Sequence, residues 1–289
     1  MNLVDLLRLL VTAALWGGSF IVIRACVPLL GPAVLTEARV GLAAIFLLLI
    51  GKGLRKKFNL FKHAKHFIIL GFLNAAFPFF LFAYSAQYLP GSLLSIINAG
   101  SPSWGFIFAC FMRRERCTGS KVIGLILGVI GVVLLVDLPR LGLEGSSFLP
   151  YLCALIASMS YGLASNVAAN SRQIDAFQNT LGSMSYSALI LIPLMFLFPV
   201  NGEINVDMFG ILVFFGVVCT GMAFLIYFKL IESVGSSSAL TVTFLIPVFG
   251  VIWGVIFLDE KVGPNIFLSI AFIIYGTILV TGYRFRSRK

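Results

Sequence analysis

Moved 145 positions along itself, this sequence lays five long apolar segments over five others without a gap. Trp16-Gly17 falls on Tyr161-Gly162, Pro102 on Pro247, Glu115-Arg116 on Glu260-Lys261, and Gly131 on Gly276. Each apolar segment is about as long as the 20 or so residues needed to cross a bilayer. Because five is odd, a second copy that follows the first must enter the membrane from the opposite face. The overlay therefore predicts two inverted five-helix repeats, with residues 1–137 and 149–289 as the halves and 138–148, which holds Pro139, Gly142 and Gly145, as the linker. In such architectures a solute site forms between the halves near the bilayer midplane.

Composition decides what solvent this chain meets. Of 289 residues, 60% are hydrophobic and 11% charged, against about 25% charged in a soluble domain. The expected spans are 7–27, 33–51, 67–88, 91–112, 119–137, 149–170, 178–199, 207–230, 236–258 and 264–283. Backbone groups in hydrocarbon must be satisfied internally, so the choice is helices or a closed barrel. The continuous apolar runs lack the alternation of barrel strands, which predicts an all-α integral membrane protein with ten transmembrane helices. The first segment reads as an uncleaved span rather than a signal peptide, since its Trp16-Gly17 recurs in mid-chain as Tyr161-Gly162.

Basic residues set the direction. Lys52, Arg55, Lys56, Lys57, Lys62 and Lys65 fill the loop after span two, and Arg113, Arg114, Arg116 and Lys121 lie after span four. Arg284, Arg286, Arg288 and Lys289 form the tail, and Arg8, Arg172 and Lys229 fall on the same side. With both termini cytoplasmic, seventeen of the 21 basic residues lie inside, while Asp137, Glu144, Glu203, Asp207, Asp259 and Glu260 lie outside. This asymmetry also accounts for the net charge of +10 without nucleic acid. Cys26, Cys110, Cys117, Cys153 and Cys219 read as small apolar side chains, and His63 and His66 sit among lysines. No metal site, cofactor site or catalytic set is expected, and the chain does not read as an enzyme.

Polar groups at lipid depth are costly and so are candidates for solute contact. Asn98 shares a helix face with Ser95 and Ser101, and Thr243 is its counterpart in span nine. Asn74 in span three and Asn166 in span six are further candidates. Helix–helix hydrogen bonding is the competing role for all of them. Trp16, Tyr84, Tyr161 and Tyr227 offer aromatic surface to apolar or cationic parts of a solute, with an interfacial belt as the alternative place for Tyr84 and Tyr227. Pro78, Pro102 and Pro247 are expected to bend their helices. Glu37 and Arg39 are charges near the start of span two. Two residues apart, they do not face each other, and Arg24 is within reach of Glu37. Arg39 either snorkels or pairs structurally, or attracts a solute carboxylate. Gly124, Gly128 and Gly131 form a small-residue stripe in span five, suited to packing within the fold or between protomers.

The order of Trp16-Gly-Gly-Ser-Phe20, Pro32 followed by Arg39, Pro102, the Glu115-basic pair, Pro247 and Leu258-Asp-Glu-Lys261 resembles the EamA family of the drug/metabolite transporter superfamily, over nearly the whole chain. The resemblance implies a ten-helix transporter in which spans 1, 3, 4, 6, 8 and 9 line a central cavity, with spans 5 and 10 peripheral and able to pair protomers. It implies export of small metabolites such as amino acids across the inner or plasma membrane by alternating access. Tyr161, where the first half has Trp16, departs from the pattern. Uptake of a nucleoside-like or cationic solute, or a scaffold role without a solute, are the alternatives.

Overall fold

The computed structural model describes residues 1–56, 59–89, 91–112, 116, 118–135, 148–171, 174–198, 200, 202, 206–258 and 265–281. Several residues read above lie outside these: Glu115, Cys117, Asp137, residues 138–147 of the linker with Glu144, Glu203, and Asp259, Glu260 and Lys261. So do Lys57, Arg113, Arg114, Arg172 and the basic tail, and the side chain of Arg24.

Every regular element among the described residues is helical. Helix α1, Leu3–Gly53, carries the first two crossings, which meet at Gly31 between Pro28 and Pro32. Gly31 has φ 69, a left-handed conformation that glycine adopts without a Cβ clash. Helix α2 is Ala64–Ser85. The fourth crossing, expected as one helix, is two: α3, Gly91–Asn98, and α4, Ser101–Phe111. Then follow α5, Gly119–Leu135, α6, Phe148–Asn170, α7, Ala176–Leu197, and α8, Val206–Val234. The ninth crossing is again two helices, α9, Ser236–Leu240, and α10, Val242–Leu258, before α11, Asn265–Thr281. Among the described residues, eight stretches are long and apolar enough to span a bilayer; α5 and α11, at 17 residues each, sit at the short end of that range. The protein is an all-α, multi-pass membrane protein. Large apolar side chains such as Phe111, Phe196, Ile123 and Phe267 face outward, while Thr180, Ser183 and Ser187 are fully buried.

The contacts between the halves obey a two-fold relation at the 145-residue offset. A Cβ on Gly162 would lie 2.7 Å from the Gly105 nitrogen and 2.8 Å from Trp104 Cβ. The counterparts of these residues are Gly17, Gly250 and Phe249, and a Cβ on Gly17 would lie 3.0 Å from the Gly250 nitrogen and 2.8 Å from Phe249 Cβ. Gly71 likewise abuts Ser187, and their counterparts Gly216 and Leu42 abut each other. Such contacts come in exchanged pairs only when a two-fold axis relates the repeats. Its direction follows from α5 and α11. Gly124 packs on Gly276, Leu279 and Val280, while Gly131 packs on Ile273 and Ser269, so the two helices run antiparallel. An axis that exchanges antiparallel helices lies across them, in the membrane plane, and the repeats are inverted. The glycine stripe is thus filled within the chain.

Each half also carries a π-helical turn at the same register, Phe72–Ala76 in α2 and Val217–Met222 in α8. In the first, the Phe77 N–H bonds Phe72 O, five residues back, and Pro78 supplies no N–H at all. Nearby carbonyls take hydroxyls from other helices: Ser187 Oγ donates to Gly71 O at 2.9 Å and Ser160 Oγ to Leu73 O at 2.7 Å. In the second, Thr220 Oγ1 donates to Phe215 O at 2.9 Å. Pro102 differs from expectation. It stands in the first turn of α4, where a missing N–H has no helical acceptor to lose, so it starts a helix instead of bending one. Pro247 is inside α10.

Candidate functional site

The two-fold relation builds a central aromatic frame. Trp16, on the first limb of α1, packs on Phe224 and Tyr227 of α8 with centroids 5.0 and 5.1 Å apart. Its counterpart Tyr161, on α6, packs on Phe79 and Phe82 of α2 at 6.3 and 6.0 Å. Phe79 and Phe224 are themselves counterparts, and their rings meet at 5.8 Å, a contact that straddles the axis. These six rings wall a cavity of about 60 Å³. That holds a few waters but is well below the roughly 300–1,000 Å³ of a drug-sized ligand site.

Polar groups enter the frame from both halves. Asn98, 5% exposed at the end of α3, and Thr243, 3% exposed in α10, are counterparts and both line the cavity. The break between α3 and α4 leaves the Asn98 carbonyl without a helical donor, and Ser101 Oγ takes that place at 2.7 Å while meeting Ser158 Oγ at 3.1 Å. Asn74, in the π-helical turn of α2, is 2% exposed, lines the cavity, and its Nδ2 has no hydrogen-bond partner. Trp16 Nε1 is also buried without a partner.

Arg39 is the charged side chain of this lining. Near the start of span two, it reads from sequence as a shallow charge, yet it is 7% exposed. Its Nε donates to Thr220 Oγ1 at 2.7 Å, so the second π-helical turn fixes its position. Its guanidinium carbon lies 3.7 Å from the Phe79 ring centroid and 4.5 Å from that of Phe215. Among the described residues the ion pair is Arg8–Asp5, and Arg39 has no carboxylate partner.

Six of the residues singled out from sequence therefore share one cavity with Arg39: Trp16, Asn74, Asn98, Tyr161, Tyr227 and Thr243. Asn166 is elsewhere. Its Nδ2 bonds the carbonyls of Gly105 and Gly162, both at 2.9 Å, and its Oδ1 accepts from Ser236 at 3.2 Å. It ties α4, α6 and α9 together. Pro78, Pro102, Pro247 and Glu37 are also absent from the lining, and Glu37 Oε2 is buried without a partner. Sequence reading missed Phe79, Phe82 and Phe224; the overlay that paired Trp16 with Tyr161 also pairs Phe79 with Phe224 and Phe82 with Tyr227. It missed Thr220 too, which carries no positional signal beyond being a hydroxyl at lipid depth. No group of three or more His, Cys, Asp or Glu is placed to hold a metal among the described residues.

A second, larger crevice of about 1,160 Å³ lies on the side of the His63 loop, between the ends of α6 and α8 and the start of α7. Asp175, Glu232 and Ser236 line it. Phe228 lines it as well and packs 6.0 Å from both Phe224 and Tyr227 of the central frame. Packed rings thus connect the crevice lining to the cavity lining, and Ser236 of the crevice bonds Asn166.

The EamA-like transporter family matches this chain twice, over residues 5–137 and 148–282. The chain belongs to the EamA-like transporter family. Among its relatives, the uncharacterized transporter YoaV of Bacillus subtilis (strain 168) is 24% identical over 289 residues, covering 98% of both chains. An uncharacterized transporter of Archaeoglobus fulgidus (strain ATCC 49558) is 23% identical over 284 residues, covering 96% of this chain and 98% of its own. A solved crystal structure superposes on 99% of both chains with a TM-score of 0.83 at 16% identity, a likeness of fold. As an EamA-like protein, the chain is a membrane transporter.

Proposed function

We propose that this EamA-like protein is a secondary transporter that exports small metabolites across the inner or plasma membrane by alternating access through the central cavity. Both termini are cytoplasmic in this reading. One observation carries it: the polar and aromatic cavity sits on the axis that exchanges the inverted halves, where rocking of one half against the other changes which side has access. At about 60 Å³ the cavity is too small for a metabolite, so loading needs the halves to move apart. The Gly17–Gly250 and Gly105–Gly162 contacts are close backbone approaches between the halves that such movement would part. The larger crevice lies on the side that the lysine-rich loop assigns to the cytoplasm, which suits loading from within. A thermal-shift screen of a metabolite library, followed by radiolabelled flux in proteoliposomes, tests the reading. Flux of the stabilising solute is expected to fall at least about tenfold in Asn98→Leu, which removes a hydrogen-bonding group from the lining. Unaltered flux in a folded Asn98→Leu protein would contradict the cavity assignment, and failure to move any solute would favour a scaffold.

A further inference from the structure

We propose that the cavity selects an organic monocarboxylate with a flat apolar body, anchored through its carboxylate by Arg39; this rests on the transport reading above. The cavity holds one cation and, among the described residues, no carboxylate to balance it. A buried charge is costly unless paired. Nε of Arg39 is taken by Thr220, which leaves the terminal nitrogens, held over Phe79, as a planar donor fork of the kind that fits a carboxylate. Two more residues of the lining carry buried donors without acceptors, Asn74 at Nδ2 and Trp16 at Nε1. An ionised carboxylate is acceptor-only with about four lone-pair sites, so it can take donors from all three residues, whereas an ammonium group has nothing to offer them.

Symmetry adds an independent reason. The aromatic frame obeys the two-fold relation, but the charged and amide groups do not: the counterpart of Arg39 is Met184 and that of Asn74 is Cys219. Packing of the inverted repeat therefore does not require them. A single cation matches a single negative charge, which favours a monocarboxylate over a phosphorylated dianion. The ammonium of a zwitterionic amino acid meets ring faces but no carboxylate among the described lining residues, so a carboxylate without an amine is the better fit.

Four probes with one ring in common test the charge preference in proteoliposomes: phenylacetate, phenylacetamide, phenylalanine and phenethylamine. Binding is read by thermal stabilisation and movement by counterflow. Phenylacetate is expected to bind about tenfold more tightly than each of the others, the scale of one charge-assisted hydrogen bond. Arg39→Gln is expected to abolish its advantage over phenylacetamide, and Arg39→Lys to retain part of it. Trp16→Phe and Asn74→Leu leave the Arg39–Thr220 bond in place. Each is expected to weaken phenylacetate about tenfold, and they decide the matter if Arg39→Gln does not fold. A preference for phenethylamine or phenylalanine, no binding of any probe, or an undiminished phenylacetate preference in folded Arg39→Gln overturns the proposal. The transport reading stands or falls separately, on whether the metabolite library yields any solute that moves.

Discussion

Thr220 joins two kinds of structure in one hydroxyl. It donates to Phe215 O inside the π-helical turn and accepts from Arg39 Nε, so a backbone irregularity in the second half positions the charge contributed by the first. Thr220→Val leaves Arg39 Nε buried without its acceptor. It is expected to lower stability by about 1–3 kcal/mol, read as a fall in Tm of the purified protein, while Thr220→Ser stays near wild type. The same scale shows what sequence could and could not convey. Asn98, Thr243 and Asn166 are alike as polar residues at lipid depth, and the first two line the cavity. Asn166 differs because the close approach of Gly105 and Gly162 brings two carbonyls within reach of its amide. That depends on which helices touch, a property of the assembled bundle. Arg39 read as shallow for a related reason: distance along its span does not reveal that Phe79, Phe215 and Thr220 close over it.

At the scale of helices, glycine pairs set how near the halves come. Gly162→Ala forces a Cβ against the Gly105 backbone at 2.7 Å, and Gly17→Ala does the same against Gly250 at 3.0 Å. These contacts are with backbone, so something must shift. Each substitution is expected to cost about 1–3 kcal/mol. Gly210→Ala, with nothing within 4 Å of its Cβ, is the control that leaves Tm near wild type. Equal losses at Gly17 and Gly162 would reflect their equivalence, whereas loss at only one would argue against a shared contact. The ten crossings and their duplication were legible because apolar length and charge placement are properties of single segments. The breaks at Ala99-Gly100 and Thr241 were not, since Pro102 and Pro247 read as equivalent bends, yet only Pro102 begins a helix. The π-helical turns were equally hidden: Asn74 and Cys219 occupy matching positions in them without any common side-chain signature.

For the molecule as a whole, the inverted repeat supplies a symmetric frame, and divergence between the halves places the polar groups within it. Phe228 and Ser236 line the crevice; Phe228 packs on Phe224 and Tyr227 of the cavity, and Ser236 bonds Asn166. If the inner side opens there, a cross-link across that bond must stop transport. In a protein whose native cysteines are replaced, the Asn166→Cys, Ser236→Cys pair is expected to lose flux on oxidation and regain it with reductant; flux that survives complete cross-linking would place the inner opening elsewhere. The central claim, that the cavity on the axis communicates in turn with both sides of the membrane, is tested most directly at Thr243, a buried lining residue. Thr243→Cys in the same cysteine-replaced protein, reconstituted with known orientation, is exposed to a membrane-impermeant thiol reagent from one side and then the other. Alternating access predicts labelling from each side, slowed by a bound solute. A cysteine that reacts from neither side, in a protein that remains folded, would contradict it.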